Sequence, residues 1–122
     1  MTVAVVVINY NGTEDTLECI RSLQKAVSPA ATVYVVDNGS RPPLRPALEA
    51  AGMRVRLIES AENLGFTGGN NLGARTALAE GAEFLLFLNN DTVVDPGFLR
   101  PLVQALEEDT RLGIVTPKIY FY

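Results

Sequence analysis

Blocks of continuous apolar residues alternate along this chain with blocks of helical period. Val3–Ile8 (VAVVVI) is an unbroken, β-rich apolar run and predicts a strand buried on both faces. Asn11, Gly12 and Thr13 break it and can cap a helix, with Glu14 and Asp15 in the first turn. Leu17, Ile20, Leu23 or Gln24, and Val27 follow at helical spacing, and Ser28-Pro29 stops that helix. Thr32–Val36 (TVYVV) reads as a second strand, ending on Asp37-Asn38-Gly39-Ser40. Pro42, Pro43 and Pro46 introduce a short helix with Leu48 and Ala51, closed by Gly52. Met53–Ile58 (MRVRLI) alternates Arg54 and Arg56 with apolar residues, which places a third strand at a sheet edge.

In the second half, a Gly/Asn-rich loop over Asn63–Gly73 is expected to run into a helix carrying Leu72 and Ala79. Phe84–Leu88 is apolar throughout, which predicts a central fourth strand. Asp95 is expected to cap a helix with Pro96 in its first turn and Phe98, Leu99, Leu102, Val103 and Leu106 as its buried stripe. Leu112–Val115 reads as a fifth strand before KIYFY. The series β-α-β-α-β-α-β-α-β predicts an α/β fold: a mostly parallel sheet with helices on both faces.

Composition narrows the chemistry. The 122 residues suit one domain, 48% hydrophobic and 20% charged. A net charge of −4 with no run of like charge argues against general nucleic-acid binding. No apolar run approaches the roughly 20 residues of a membrane span, and Val3–Ile8 lacks the basic flank of a signal peptide. The sequons at Asn11 and Asn90 are accordingly read as chance. The lone Cys19 cannot form an internal disulfide, so a cytoplasmic setting is expected, extending to the inner face of the membrane. With no histidine, Ser-His-Asp and Cys-His catalysis are excluded, and any metal must be held by oxygen, which favours Mg²⁺ or Mn²⁺.

In an open α/β sheet, ligands bind beyond the carboxyl ends of the strands. Here those ends read Asn9-Tyr10-Asn11, Asp37-Asn38, Glu59-Ser60 and Asn89-Asn90-Asp91. Asp, Asn and Gly populate ordinary turns, and any single end has that bland reading. Asn89-Asn90-Asp91 after a fully apolar strand is harder to dismiss, because rigid backbone would hold Asp91 at the crevice. The glycines of GFTGGNNLG match neither the Walker A pattern nor the dinucleotide fingerprint.

Four segments in order, VVVINYNG, VYVVDNGS, ENLGFTGGNNLG and FLLFLNNDTVVDPGFL, resemble the nucleotide-sugar-binding half of a GT-A-fold glycosyltransferase. The resemblance is to the large second family of inverting enzymes, especially its rhamnosyltransferase-like branch, and covers roughly residues 3–116. It implies a Rossmann-like GT-A fold and transfer of a sugar from a nucleotide-diphosphate donor to a hydroxyl of a glycan or lipid-linked acceptor. It implies base contacts from Asn9, Tyr10 and Asp37, and nucleotide-sugar contacts from Asn63, Gly69, Asn70 and Asn90. Asp91 would be the ligand for Mn²⁺ or Mg²⁺. Asn89 stands where the full signature has an aspartate, which weakens the case for metal binding without nucleotide.

The resemblance places the catalytic base in a second half of the domain. Residues 1–122 are therefore expected to be one nucleotide-sugar-binding domain, the N-terminal part of a longer enzyme, with its base beyond residue 122. An exposed KIYFY segment would favour a homo-oligomer. The alternative function is a non-catalytic nucleotide-binding or regulatory α/β module. A nucleotidyltransferase ranks last, because its basic loop is replaced here by the acidic NYNGTED.

Overall fold

The computed structural model describes residues 2–26 and 28–121. The elements run β1 (Val3–Asn9), α1 (Thr13–Gln24), β2 (Ala31–Asn38), α2 (Arg45–Ala50), β3 (Arg56–Ser60), α3 (Gly65–Ala79), β4 (Phe84–Asn89) and α4 (Leu99–Glu108). The four strands form one parallel sheet in the order β3-β2-β1-β4. The α/β expectation is met, with helices on both faces.

Alternation along β1 divides the core. Val5 and Val7 pack against Cys19 and Leu23 of α1, and Val3 packs against Leu99 and Val103 of α4. Ala4 and Val6 face the other way, toward Ala77 of α3. Each fully buried valine of β1 contributes about 1.5–3 kcal/mol relative to exposure. On the α1 face Leu17 and Ile20 join Val35, Leu44 and Leu48. Leu23 is buried and Gln24 exposed, so the stripe of α1 runs through Leu23. Val27, expected on that stripe, lies outside the described residues.

Several elements differ from expectation. β3 begins at Arg56 rather than Met53, although it does lie at the sheet edge. β4 is the opposite edge, not a central strand: among the described residues only β1 pairs with it, and Phe87 is half-exposed. Strand order follows from pairing partners, which an apolar run does not encode. Leu112–Val115 forms no strand: among the described residues none pairs with it, and Ile114 is 90% exposed. Asp95 does not cap α4. Its carboxylate accepts from Gly97 N–H at 2.8 Å in a preceding turn, and the helix starts at Leu99.

The largest difference is α3. The glycine-rich stretch is helix from Gly65 onward rather than loop. A Cβ on Gly73 would lie 2.5 Å from Val6 Cγ1 and 3.1 Å from Val36 Cγ2. The glycines therefore let α3 sit directly on β1 and β2, outweighing their poor helix propensity.

Candidate functional site

The carboxyl ends of β1, β2 and β4 and the start of α3 enclose a cleft of about 420 Å³. Ile8 and Tyr10 line it from β1, Asn38 from β2, and Asn63, Gly65, Phe66 and Asn70 from the α3 side. Leu88, Asn89, Asn90 and Asp91 close it from β4 and the following turn. Its lining offers five side-chain amides, one phenol and one carboxylate, and no lysine or arginine. Tyr10 and Phe66 are both more than half exposed there.

Strand alternation explains how the end of β2 is used. Asp37 follows Val33 and Val35 on the α1 face, while Asn38 follows Tyr34 and Val36 on the α3 face. Asn38 Nδ2 donates to Asn63 Oδ1 and to the Gly65 carbonyl, each at 3.0 Å, and Asn38 Oδ1 accepts from Leu64 N–H at 2.8 Å. One buried amide thus fixes the entry to α3. Gly39 follows at φ +77°, where a Cβ would also strike the Glu62 carbonyl carbon at 2.6 Å, so this turn requires glycine.

Asn9 and Asp37 are buried and set back from the lining. Asn9 Nδ2 donates to Asp37 Oδ1 at 3.1 Å and to Ser40 Oγ at 3.0 Å, and Asn9 Oδ1 accepts from Thr16 Oγ1 at 2.7 Å. Asp37 Oδ2 accepts from Leu44 N–H at 2.8 Å. Among the described residues no buried side-chain polar atom lacks a partner.

Of the residues singled out from sequence, Tyr10, Asn63, Asn70, Asn90 and Asp91 come together on the cleft. Asn9 and Asp37 do not reach it, and Gly69 is buried against Ile8 and Asn38. Sequence reading missed Phe66, and it placed Asn38 at a strand end on the crevice without giving it a binding role. The period-2 alternation of β2 was the signal that could have turned Asn38 toward α3. Arg75 is exposed and lies off the lining.

Asp91 is exposed, and its carboxylate makes no hydrogen bond or ion pair among the described residues. The described residues hold no cluster of three or more His, Cys, Asp or Glu able to bind a metal alone. The donor set is one free carboxylate among amide oxygens, hard ligands that suit Mg²⁺ or Mn²⁺ only if a ligand brings further oxygens. Behind this turn Cys19 is fully buried, and burial pushes its thiol up to about 11, so it is no nucleophile at neutral pH. Among the described residues no helix is long and apolar enough to cross a membrane.

Comparison with known proteins agrees with this architecture. The chain is 32% identical over 117 residues to the low-salt glycan biosynthesis hexosyltransferase Agl10 of Haloferax volcanii, covering 95% of this chain and 36% of that one. A 50-residue stretch is 46% identical to an uncharacterised protein of Mycobacterium tuberculosis, covering 41% of this chain and 19% of that one. The fold superposes on Staphylococcus aureus TarS residues 1–349 in complex with UDP-GlcNAc, with a TM-score of 0.72 and 26% identity over 88% of this chain and 32% of that one. The mannosyltransferase PcManGT from Pyrobaculum calidifontis, in complex with GDP-Man and Mn²⁺, shares the fold at TM-score 0.67 and 23% identity, over 85% of this chain and 32% of that one. The chain thus spans about a third of the length of Agl10 and of TarS residues 1–349. Residues 4–122 match the family described as Glycosyl transferase family 2, and the chain belongs to that family.

Proposed function

We propose that this chain is the donor-binding part of an inverting, metal-assisted glycosyltransferase of rhamnosyltransferase-like type. It takes a sugar from a nucleoside-diphosphate donor to a hydroxyl of a glycan or lipid-linked acceptor. The observation that carries this reading is the lining of the cleft: amides and a single free carboxylate, with no cation. Side-chain amides suit a base and sugar hydroxyls. A diphosphate placed there meets only the negative Asp91, so its charge must be balanced by a cation that arrives with it.

Each residue then has a part. Tyr10 presents a ring and a phenol to the base. Asn63 and Asn70 orient the ribose and sugar, and Gly69 lets α3 approach closely enough for them to do so. Asp91 would hold Mn²⁺ or Mg²⁺ against the diphosphate. When bound, the ion neutralises the charge that grows on the departing diphosphate. Asp37 and Asn9, set back from the lining, hold the ends of β1 and β2 in register.

Among the described residues Asp91 is the only carboxylate on the cleft, so the general base that takes the proton of the acceptor hydroxyl is not assigned to the cleft lining. We place the enzyme in the cytoplasm, reaching the inner face of the membrane. Titrating UDP, dTDP and GDP calorimetrically, each with and without Mn²⁺, tests the reading. One nucleotide should bind with metal-enhanced affinity. A folded chain that binds none of them under either condition contradicts it.

A further inference from the structure

Asp91 sits in a turn tied to one face of α1 through Asn89, Asn90 and Val94. Asn90 Nδ2 donates to Thr16 Oγ1 at 3.0 Å. Thr92 Oγ1 donates to the Asn89 carbonyl at 2.7 Å, and the Cys19 thiol lies 3.8 Å from that same carbonyl. Val94 N–H donates to Ser22 Oγ at 3.1 Å, and Ser22 Oγ in turn donates to the Cys19 carbonyl at 2.7 Å. Thr16, Cys19 and Ser22 recur every third residue, so they share one face of α1. They are small and buried, which lets the 89–94 segment lie close along the helix. One turn earlier, a Cβ on Gly12 would come within 2.9 Å of Asn90 Nδ2, so glycine leaves room for the Asn90 amide.

From this geometry we infer that Thr16 and Asn90 are positioning residues. The polar face of α1 holds the 89–94 turn so that Asp91, whose carboxylate has no partner among the described residues, lines the cleft. This inference rests on the metal-assisted reading above and deepens it. Asn90 carries the anchoring amide rather than serving chiefly as a donor contact. Thr16 relays the restraint to Asn9 and Asp37, so the turn is fixed to the buried ends of β1 and β2. Carboxylates that bind metal gain from such locking, because a ligand held in place loses less freedom on binding.

The test combines a readout on the unliganded chain with one on binding. Thr16→Val removes the hydroxyl at constant shape, Thr16→Ser restores it, and Asn90→Ala removes the anchor from the other side. Hydrogen exchange of the metal-free chain should show peptides over 89–94 exchanging about tenfold faster in T16V and N90A, with β1 and β2 still protected. The gain in UDP affinity brought by Mn²⁺ should fall about tenfold in both variants, with metal-free UDP binding unchanged in T16V, whose site lies off the cleft lining. T16S should restore both.

Unchanged exchange over 89–94, or a metal-dependent gain intact in both T16V and N90A, overturns the positioning role while leaving the donor-site reading in place. Exchange that rises uniformly across the sheet overturns it as well, since it shows a merely structural threonine. A wild-type chain that binds nucleotide without any gain from metal overturns the metal-assisted reading, one that binds none overturns the donor-site reading, and the positioning role falls with either.

Discussion

Asn9 and Asp37 are register partners across the β1–β2 ladder, and the Asn9 amide donates to the Asp37 carboxylate at 3.1 Å. The pair closes the polar edge of an otherwise apolar sheet. Asp37 is 3% exposed, and its second oxygen accepts from Leu44 N–H. Asp37→Ala leaves that N–H and part of the Asn9 amide buried without partners, at a cost of about 2–4 kcal/mol. Urea unfolding measures this. A loss below about 0.5 kcal/mol would show that the network carries little stability.

Gly73 predicts the opposite of its helix propensity. Alanine favours a helix over glycine by about 1 kcal/mol. A Cβ here strikes Val6 and Val36, however, and lifts α3 from the sheet. Gly73→Ala should therefore lower stability by about 1–3 kcal/mol net. A thermal melt at or above the wild-type Tm would mean that α3 rides on the sheet with room to spare.

Asn38 ties three groups at the start of α3, so Asn38→Ala should both destabilise the chain and weaken nucleotide binding. The three lost hydrogen bonds put the stability cost at about 2–3 kcal/mol. Paired unfolding and calorimetric measurements check this. Wild-type nucleotide affinity in the folded variant would show that the α3 entry has no part in the cleft.

Much of this architecture is written in local pattern. The apolar run of β1 and the paired polar strand ends placed the crevice, and the charged alternation of Arg54 and Arg56 placed β3 at an edge. What failed depended on partners distant in sequence. The run Phe84–Leu88 is apolar enough for a central strand, yet its position is set by which strands pair with it. The stretch Gly65–Gly73 reads as loop because propensity penalises four glycines, whereas Val6 and Val36 reward the missing Cβ of Gly73. Asn90 and Thr16 are 74 residues apart, so no local window joins them. For the cleft, residue type and strand position singled out Asp91. They could not say that Asp37 is occupied by internal donors.

Alkaline pH should destabilise the chain. Burial raises the Cys19 thiol from 9.0 to about 11, so folding favours its protonated form. Its contribution is complete below pH 9 and is lost as pH rises toward 11. The Tyr34 phenol, held by its hydrogen bond to Glu80 and by burial, is raised from 10.0 and adds to the loss at still higher pH. Stability should fall by about 2 kcal/mol for the thiol alone, measured by urea unfolding across the range. Cys19→Ala should flatten the profile between pH 9 and 11. An unchanged profile in that variant would contradict the assignment.

The segment after α4 presents Ile114, Ile119, Tyr120 and Phe121 to solvent, all more than two-thirds exposed. Apolar surface of this kind drives association. We expect concentration-dependent self-association in sedimentation velocity, suppressed by Ile119→Glu with Phe121→Glu. A monomer at every concentration would contradict this.

The central claim is that Asp91 holds a cation against a nucleoside diphosphate. Calorimetric titration of UDP into wild type and Asp91→Asn, each with and without Mn²⁺, tests it most directly. The substitution keeps the shape and removes only a charge that has no internal partner among the described residues. The Tm should therefore stay the same, while the metal-dependent gain in affinity falls at least about tenfold. Without metal the variant should bind UDP as well as wild type or better, because the carboxylate no longer repels the diphosphate. Equal metal-dependent gain in both proteins would contradict the account and move the cation, or the donor, elsewhere.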